Sequence, residues 1–99
     1  MSISNNNELK IVNEKFKDNF SIHPNPSKGL FTVDYSISKI SEVIIQIMDM
    51  NGVLLKEYIK YNNPGNYSEH FDISQLSSGI YLCSIKTSTF TKTIKLIIY

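Results

Sequence analysis

From Phe20 onward, apolar and polar residues alternate with a period of two, and short runs of proline, glycine, asparagine and serine break the pattern. That period is the signature of half-buried β-strands. Phe20 and Ile22 open it. After a corner at His23-Pro24-Asn25-Pro26 and a turn at Ser27-Lys28-Gly29, the residues Phe31, Val33, Tyr35 and Ile37 alternate with Thr32, Asp34 and Ser36. Each proline holds its own φ near −65° and pushes the preceding residue toward extended conformations, so the corner cannot be helix. Gly29 is free to take positive φ and turn the chain.

Further strands follow in order. Val43 to Met48 reads as the third, and Val53 to Ile59 as the fourth. Asn62-Asn63-Pro64-Gly65-Asn66 is a loop, and Tyr67 to Phe71 alternates again. Asp72-Ile73-Ser74-Gln75-Leu76-Ser77-Ser78-Gly79 crosses over, with Ile73 and Leu76 placed to plug one end of a core. Ile80 to Ile85 and Thr93 to Tyr99 complete the set, joined by a turn at Thr87 to Thr91. Seven strands, separated by turn signals and without helical periodicity, predict an all-β fold: a seven-stranded antiparallel β-sandwich of the Ig-like or fibronectin-like kind.

The hairpin at Asp49-Met50-Asn51-Gly52 admits two registers. A two-residue Asn51-Gly52 turn of type I′ pairs Ile47 with Lys56 and Ile45 with Tyr58. A type I turn starting at Asp49, with Gly52 left-handed in a bulge, pairs Ile47 with Leu55 and Val43 with Ile59. The second gathers Val43, Ile45, Ile47, Val53, Leu55 and Ile59 on one face and leaves Gln46, Lys56 and Tyr58 on the other. A one-residue slip scrambles both faces, so the bulged turn is the expectation.

Ninety-nine residues allow one small domain. Residues 20–99 form it, and residues 1–19 read as a linker or disordered tail: Ser4 to Asn7 is polar, and Glu8 to Phe16 has weak apolar content of mixed period. The net charge of +1, with no basic block, gives no support for nucleic-acid or anionic-membrane binding. No apolar run reaches the roughly 18 residues needed to span a bilayer, so direct membrane insertion is not expected. No leader follows Met1.

Candidate chemistry is sparse. His23, His70 and Cys83 show no ligand spacing, and the two histidines are expected to lie apart from each other and from the cysteine. Cys83 shares the phase of Tyr81 and Ile85, which makes it a buried structural thiol. The carboxylates are scattered; Asp49 and Asp72 stand at turn starts, where aspartate accepts bonds from nearby backbone N–H groups. Neither a catalytic site nor a metal nor a cofactor is expected. Gly79-Ile80-Tyr81-Leu82-Cys83 has the Tyr-x-Cys spacing of immunoglobulin domains, with Leu76 upstream as in a tyrosine corner. There is no partner cysteine and no tryptophan.

Four stretches, in order, carry another resemblance: His23-Pro24-Asn25-Pro26-Ser27-Lys28-Gly29-Leu30-Phe31-Thr32-Val33, Asp49-Met50-Asn51-Gly52, Asp72 through Gly79-Ile80-Tyr81, and Thr93-Ile94-Lys95-Leu96-Ile97-Ile98. From Phe20 to Tyr99 the chain resembles the type A C-terminal sorting domains carried by cargo of the type IX secretion system of Bacteroidota. The resemblance implies a non-catalytic domain that directs attached cargo through the outer-membrane translocon. Cleavage by a sortase-like cysteine protease and surface anchoring would follow. It assigns structural or recognition roles to Pro24, Asn25, Pro26, Gly29, Asp49, Gly52, Gly79, Tyr81 and Lys95. It implies translocon components, the protease and a cargo domain on the N-terminal side as partners. The destination would be the medium or the surface of a Gram-negative cell, reached through the periplasm. Without cargo and leader, the chain reads as a fragment of a longer parent or as a truncated reading frame.

The alternative is a generic sandwich that binds carbohydrate or protein. It would need exposed aromatics on one face, and the phases of Tyr35, Tyr58, Tyr61 and Tyr67 do not agree on a platform. The last strand bears on the sorting reading. Ile94, Leu96 and Ile98 occupy one phase, and Ile97 and Tyr99 share the other with Lys95. One face can serve the core and the other a partner, and an edge strand there could be extended by a receptor through strand addition.

Overall fold

The computed structural model describes residues 15–99; of the tail expected over residues 1–19, residues 1–14 lie outside that range. Seven strands follow: β1 (Asn19–His23), β2 (Leu30–Ile37), β3 (Ser41–Asp49), β4 (Leu54–Asn62), β5 (Gly65–Asp72), β6 (Gly79–Lys86) and β7 (Thr91–Ile98). They form two antiparallel sheets, ordered β1-β2-β5 and β4-β3-β6-β7, packed as an Ig-like sandwich. Ahead of β1, the Ser36 hydroxyl donates to the Lys17 carbonyl, and the Ser38 N–H donates to Asp18 Oδ1 at 2.9 Å.

The alternating pattern explains the core. Phe31, Val33, Tyr35 and Ile37 of β2 face Val43, Ile45 and Ile47 of β3, with Cys83 and Ile85 from β6 and Leu96 and Ile98 from β7. Each aliphatic side chain buried this way stabilises the fold by about 1.5–3 kcal/mol before the entropy of ordering it is counted. Phe31 stacks on Phe71 at 5.6 Å between ring centres, and Tyr35 on Tyr67 at 5.3 Å, which locks β2 to β5. Ile73 is buried in the crossing between β5 and β6, and Leu76 packs against the same core. The plug expected at the end of the sandwich is therefore present.

The β3–β4 hairpin agrees with expectation at its tip and departs from it along its body. Gly52 has φ of 85°, no residue other than glycine has positive φ among the described residues, and the Gly52 N–H donates to the Asp49 carbonyl at 3.0 Å. The tip is thus the expected bulged type I turn. Behind it, Met48 pairs with Leu54 but Ile47 pairs with Lys56 and Ile45 with Tyr58, so Leu55 is an extra residue in a second irregularity. The slip turns every later side chain of β4 over. Val53, Leu55 and Ile59, expected in the core, are 54, 39 and 55 % exposed, whereas Tyr58 points inward.

The inward environment accounts for that choice. At the open side of the sandwich the Tyr58 ring stands edge-on to Phe71, 6.4 Å between centres, and its hydroxyl donates to Glu69 at 2.5 Å. A tyrosine buries a large ring while its hydroxyl still finds a partner, which an aliphatic strand face could not offer to the inward Glu69. Burial, followed by the bond to Glu69, pushes the Tyr58 hydroxyl pKa well above the ordinary tyrosine value.

Two glycines in positive φ differ in their surroundings, and the difference is measurable. A Cβ on Gly52 would meet nothing within 4 Å, but one on Gly29 (φ 107°) would lie 2.6 Å from Ser74 Cα. We expect Gly52→Ala to cost about 1–2 kcal/mol, from left-handed strain alone. Gly29→Ala should cost about 2–5 kcal/mol, because overpacking against backbone adds to the strain. Urea unfolding of the two variants checks the order. Equal losses would mean that the crossing at Ser74 yields freely.

Candidate functional site

The candidate residues converge on one end of the sandwich, and the corner is what joins them. Both His23-Pro24 and Asn25-Pro26 are cis. The Asn25 side chain turns toward β7: its Nδ2 donates to the Lys95 carbonyl at 2.7 Å, and the Ile97 N–H donates to its Oδ1 at 3.0 Å. Ser27 continues the contact with its main chain. Its N–H donates to the Ile97 carbonyl, and its carbonyl accepts from the Tyr99 N–H, each at 3.0 Å. Ser27 and Ile98 thereby form a parallel bridge outside the named strands. The Gly29 N–H is held by Ser27 Oγ at 3.1 Å, and the Gly29 carbonyl accepts from the Ile73 N–H at 2.8 Å, which ties the corner to the crossing as well.

The remaining candidates sit beside that joint. Asp49 Oδ1 accepts from the N–H groups of Asn51 at 2.8 Å and Val53 at 3.0 Å, so the carboxylate staples the hairpin tip. Asp49 pairs with Tyr81, and Tyr81 with Leu96, which aligns hairpin, β6 and β7 in one row. The Tyr81 hydroxyl donates to the Ser77 carbonyl at 2.5 Å and fastens the crossing to the start of β6. Gly79 opens β6 opposite Ile98, and a Cβ there would touch only the Tyr81 ring, at 4.0 Å.

On β7 the two phases separate cleanly. Leu96 and Ile98 are buried, while Ile97 and Tyr99 are 37 and 64 % exposed and Lys95 is exposed. The expected strand edge is only partly open: its outward backbone groups from the Lys95 carbonyl to the Tyr99 N–H are taken by Asn25 and Ser27. What the end of β7 presents outward is side chains. The register adds neighbours that sequence reasoning missed. Ile80 pairs with Ile97, Leu82 with Lys95, and Met48 with Leu82, so exposed Ile80 and half-buried Leu82 and Met48 extend an apolar patch around one lysine. Ile80-Tyr81-Leu82-Cys83, apolar in both phases, was the signal that could have found it.

The opposite sheet has another character. Contrary to expectation, the histidines do not lie apart: His23 and His70 both pair with Thr32, one from β1 and one from β5. Antiparallel register thus brings together residues that spacing in the sequence keeps distant. His70 Nδ1 lies 2.9 Å from Thr32 Oγ1, and His23 Nε2 lies 2.5 Å from Asp34 Oδ2. Asp34 also accepts from the Ser68 hydroxyl, and that bond, with His23 beside it, holds its carboxyl below the usual carboxylate range. Among the described residues no three His, Cys, Asp or Glu side chains are grouped as a metal site. Cys83 belongs to the other sheet, fully buried, where desolvation pushes its thiol up to about 12.

Nor does this face carry an aromatic platform. An open cleft of about 350 Å³ is bordered by Asn19, Asp34, Ser36, Asn66 and Ser68, but Tyr35 beneath it is buried and stacked on Tyr67. Tyr58 lies inside the sandwich, and Tyr61 stands exposed on the other sheet.

A family model described as a secretion system C-terminal sorting domain matches residues 21–99, a span that includes every candidate position. No curated protein matches the chain.

The histidine face yields a pH dependence. Asp34 and Asp72 are both lowered from the ordinary 3.8, Asp34 by Ser68 and His23, Asp72 by the hydroxyl and N–H of Ser74. A carboxylate lowered on folding contributes stability that is present above its unfolded pKa and lost as pH falls through its folded pKa. Through these two groups the melting temperature should therefore decline as pH falls below about 4. Both groups are solvent-facing, so the decline is modest. Asp34→Asn should make it shallower; an identical slope in the variant would remove Asp34 from the account.

Proposed function

Because the chain belongs to the secretion system C-terminal sorting domains, its task is to mark an attached protein for type IX secretion, and we propose that the mark is read on the apolar end of the four-stranded sheet, at Lys95, Ile97, Tyr99 and Ile80. The domain is a C-terminal sorting signal, which makes the protein that carries it a secreted or cell-surface protein of a Bacteroidota-type bacterium and a client of the type IX machinery.

The observation that carries the proposal is the division of labour along β7. Leu96 and Ile98 are committed to the core, and the distal edge is occupied by Asn25 and Ser27. The side chains of Lys95, Ile97 and Tyr99 are spent on neither. Burying Ile97 and Ile80 against a partner would contribute about 1.5–3 kcal/mol each, before the cost of association is subtracted. Lys95 in their midst favours a partner that offers an acceptor within an apolar surface, and it also discourages self-association of the patch.

The finer steps of the pathway belong to the same proposal. The domain acts without catalysis of its own, after its cargo, placed on its N-terminal side, has reached the periplasm. The outer-membrane translocon receives it, and a sortase-like cysteine protease then cuts in or before residues 1–19. A buried Cys83 with a raised pKa fits a non-catalytic role. The carbohydrate-binding alternative draws no support from the faces of the sandwich, where the tyrosines make no common platform.

The test is a secretion assay. Residues Met1 to Tyr99 are fused behind a Sec signal peptide and a fluorescent protein, in a cell with type IX secretion. The fusion should reach the surface or the medium. Removal of Lys95 to Tyr99, Ile97→Asp and Lys95→Ala should each leave a larger share in the periplasm, with Ile97→Asp the stronger of the two point variants. Melting curves keep unfolding apart from misrouting, since Ile97 and Lys95 face outward. Normal export of folded Ile97→Asp and Lys95→Ala fusions would place the mark elsewhere.

A further inference from the structure

The edge of β7 carries, in order, an acceptor at Lys95, a donor and an acceptor at Ile97, and a donor at Tyr99, the pattern that an adjoining strand would ordinarily satisfy. Among the described residues no strand adjoins these groups. The first two are met by one planar carboxamide, that of Asn25, and the next two by the main chain of Ser27. We propose that Asn25 is a positioning residue: with Ser27 it acts as a surrogate strand that closes the backbone edge of β7, so that the sorting strand meets its partner through side chains and not through strand pairing.

The chemistry selects asparagine. The Lys95 carbonyl can only accept and the Ile97 N–H can only donate, so the group between them must supply one donor and one acceptor in a single plane. An aspartate has no donor for Lys95, and alanine has neither. A glutamine carries the same amide one methylene farther out. Pro24 and Pro26 flank the amide, and neither has an N–H to extend the ladder itself. The corner therefore ends the sheet where an ordinary strand would invite another. At Thr93, earlier on β7, no such cap is found among the described residues. Among the described residues the guard covers the stretch that holds Lys95, Ile97 and Tyr99.

The inference rests on the reading that these side chains form the routing surface, and the experiment separates the two. Amide exchange is followed by NMR on the whole chain with Asn25→Ala and Asn25→Asp, and export is measured on the same fluorescent fusions. In Asn25→Ala the Ile97 amide should exchange about fivefold to tenfold faster, the equivalent of one lost hydrogen bond, while the Ile45 amide in the centre of β3 stays within about twofold. Asn25→Asp keeps an acceptor for the Ile97 N–H but sets a second acceptor against the Lys95 carbonyl, so it should recover only part of the Ile97 protection. It should also show whether the shape of the side chain alone suffices should Asn25→Ala fail to fold. Export of Asn25→Ala should fall although the protein melts cooperatively, and Asn25→Asp should fall between it and the parent.

Equal acceleration at Ile97 and Ile45 would mean that Asn25 only adds global stability, which overturns the proposal. So would faster exchange at Ile97 with export unchanged, or full protection of Ile97 in Asn25→Ala. If the outward variants Ile97→Asp and Lys95→Ala block export while Asn25→Ala does not, the guard fails and the routing surface stands. If none of the three affects export, the routing surface fails first.

Discussion

One asparagine side chain closes a gap of seventy residues between the start of the fold and its last strand, and both sheets depend on that closure. β1 and β2 lie in the three-stranded sheet and β7 in the four-stranded one, yet the turn between β1 and β2 is bonded to four backbone groups of Lys95, Ile97 and Tyr99, in β7 and just past its end. Two sheets packed only through apolar side chains can slide, because the hydrophobic effect is non-directional. Hydrogen bonds with fixed donors and acceptors cannot tolerate a shift of one residue. The register of β7 along β6 turns Leu96 and Ile98 inward, and the corner reinforces that phase from the other edge. Gly29, pressed against the backbone of Ser74, extends the same joint to the crossing.

The two outer faces are built for different ends. On the three-stranded sheet, short polar side chains bond to one another across the strands: Ser68 and His23 to Asp34, and His70 to Thr32. Their hydrogen-bonding capacity is turned on neighbours. The four-stranded sheet instead leaves Ile80 and Ile97 exposed beside one another at the joint. Such a surface risks pairing with copies of itself, and the edges are managed accordingly. On β4, Lys56 and Lys60 stand opposite Ile47 and Val43, in the inward phase of an edge strand, where a charge discourages another strand from docking. On β7 the corner does the equivalent work with backbone and amide groups.

How much of this the sequence discloses varies with the range of the interaction. Strand alternation is local, and it located all seven strands. The bulged turn was legible as well, because Asp49 and Gly52 each have a local reason to stand where they do. Tyr81 announced its bond to the crossing through its distance from Leu76. The register of β4 was misread because it is decided across the sandwich, by the meeting of Tyr58 with Glu69 and Phe71, and no pattern within the hairpin encodes that meeting. The histidines were expected apart for the same reason: Thr32 stands between them only once β1 and β5 have both paired with β2. The proline corner was read for its stiffness, whereas the role of Asn25 depends on a strand seventy residues away.

That distance bears on why a folded domain suits a sorting signal. A short peptide signal would be presented in whatever conformation its cargo allowed, and ordering it on binding would cost entropy at that moment. Here the ordering cost is met during folding. The side chains of Lys95, Ile97 and Tyr99 are held on a strand whose far edge is already satisfied, and whose inner face is already buried. On the proposed reading, preorganisation of this kind would let recognition depend on the end of the sandwich and not on the cargo joined to it. On the same reading, recognition would also be a check on folding, because the aligned face exists only when the corner and the last strand have met. A misfolded chain would have its apolar residues but not their alignment, and the closure at Asn25 belongs to the folded one alone.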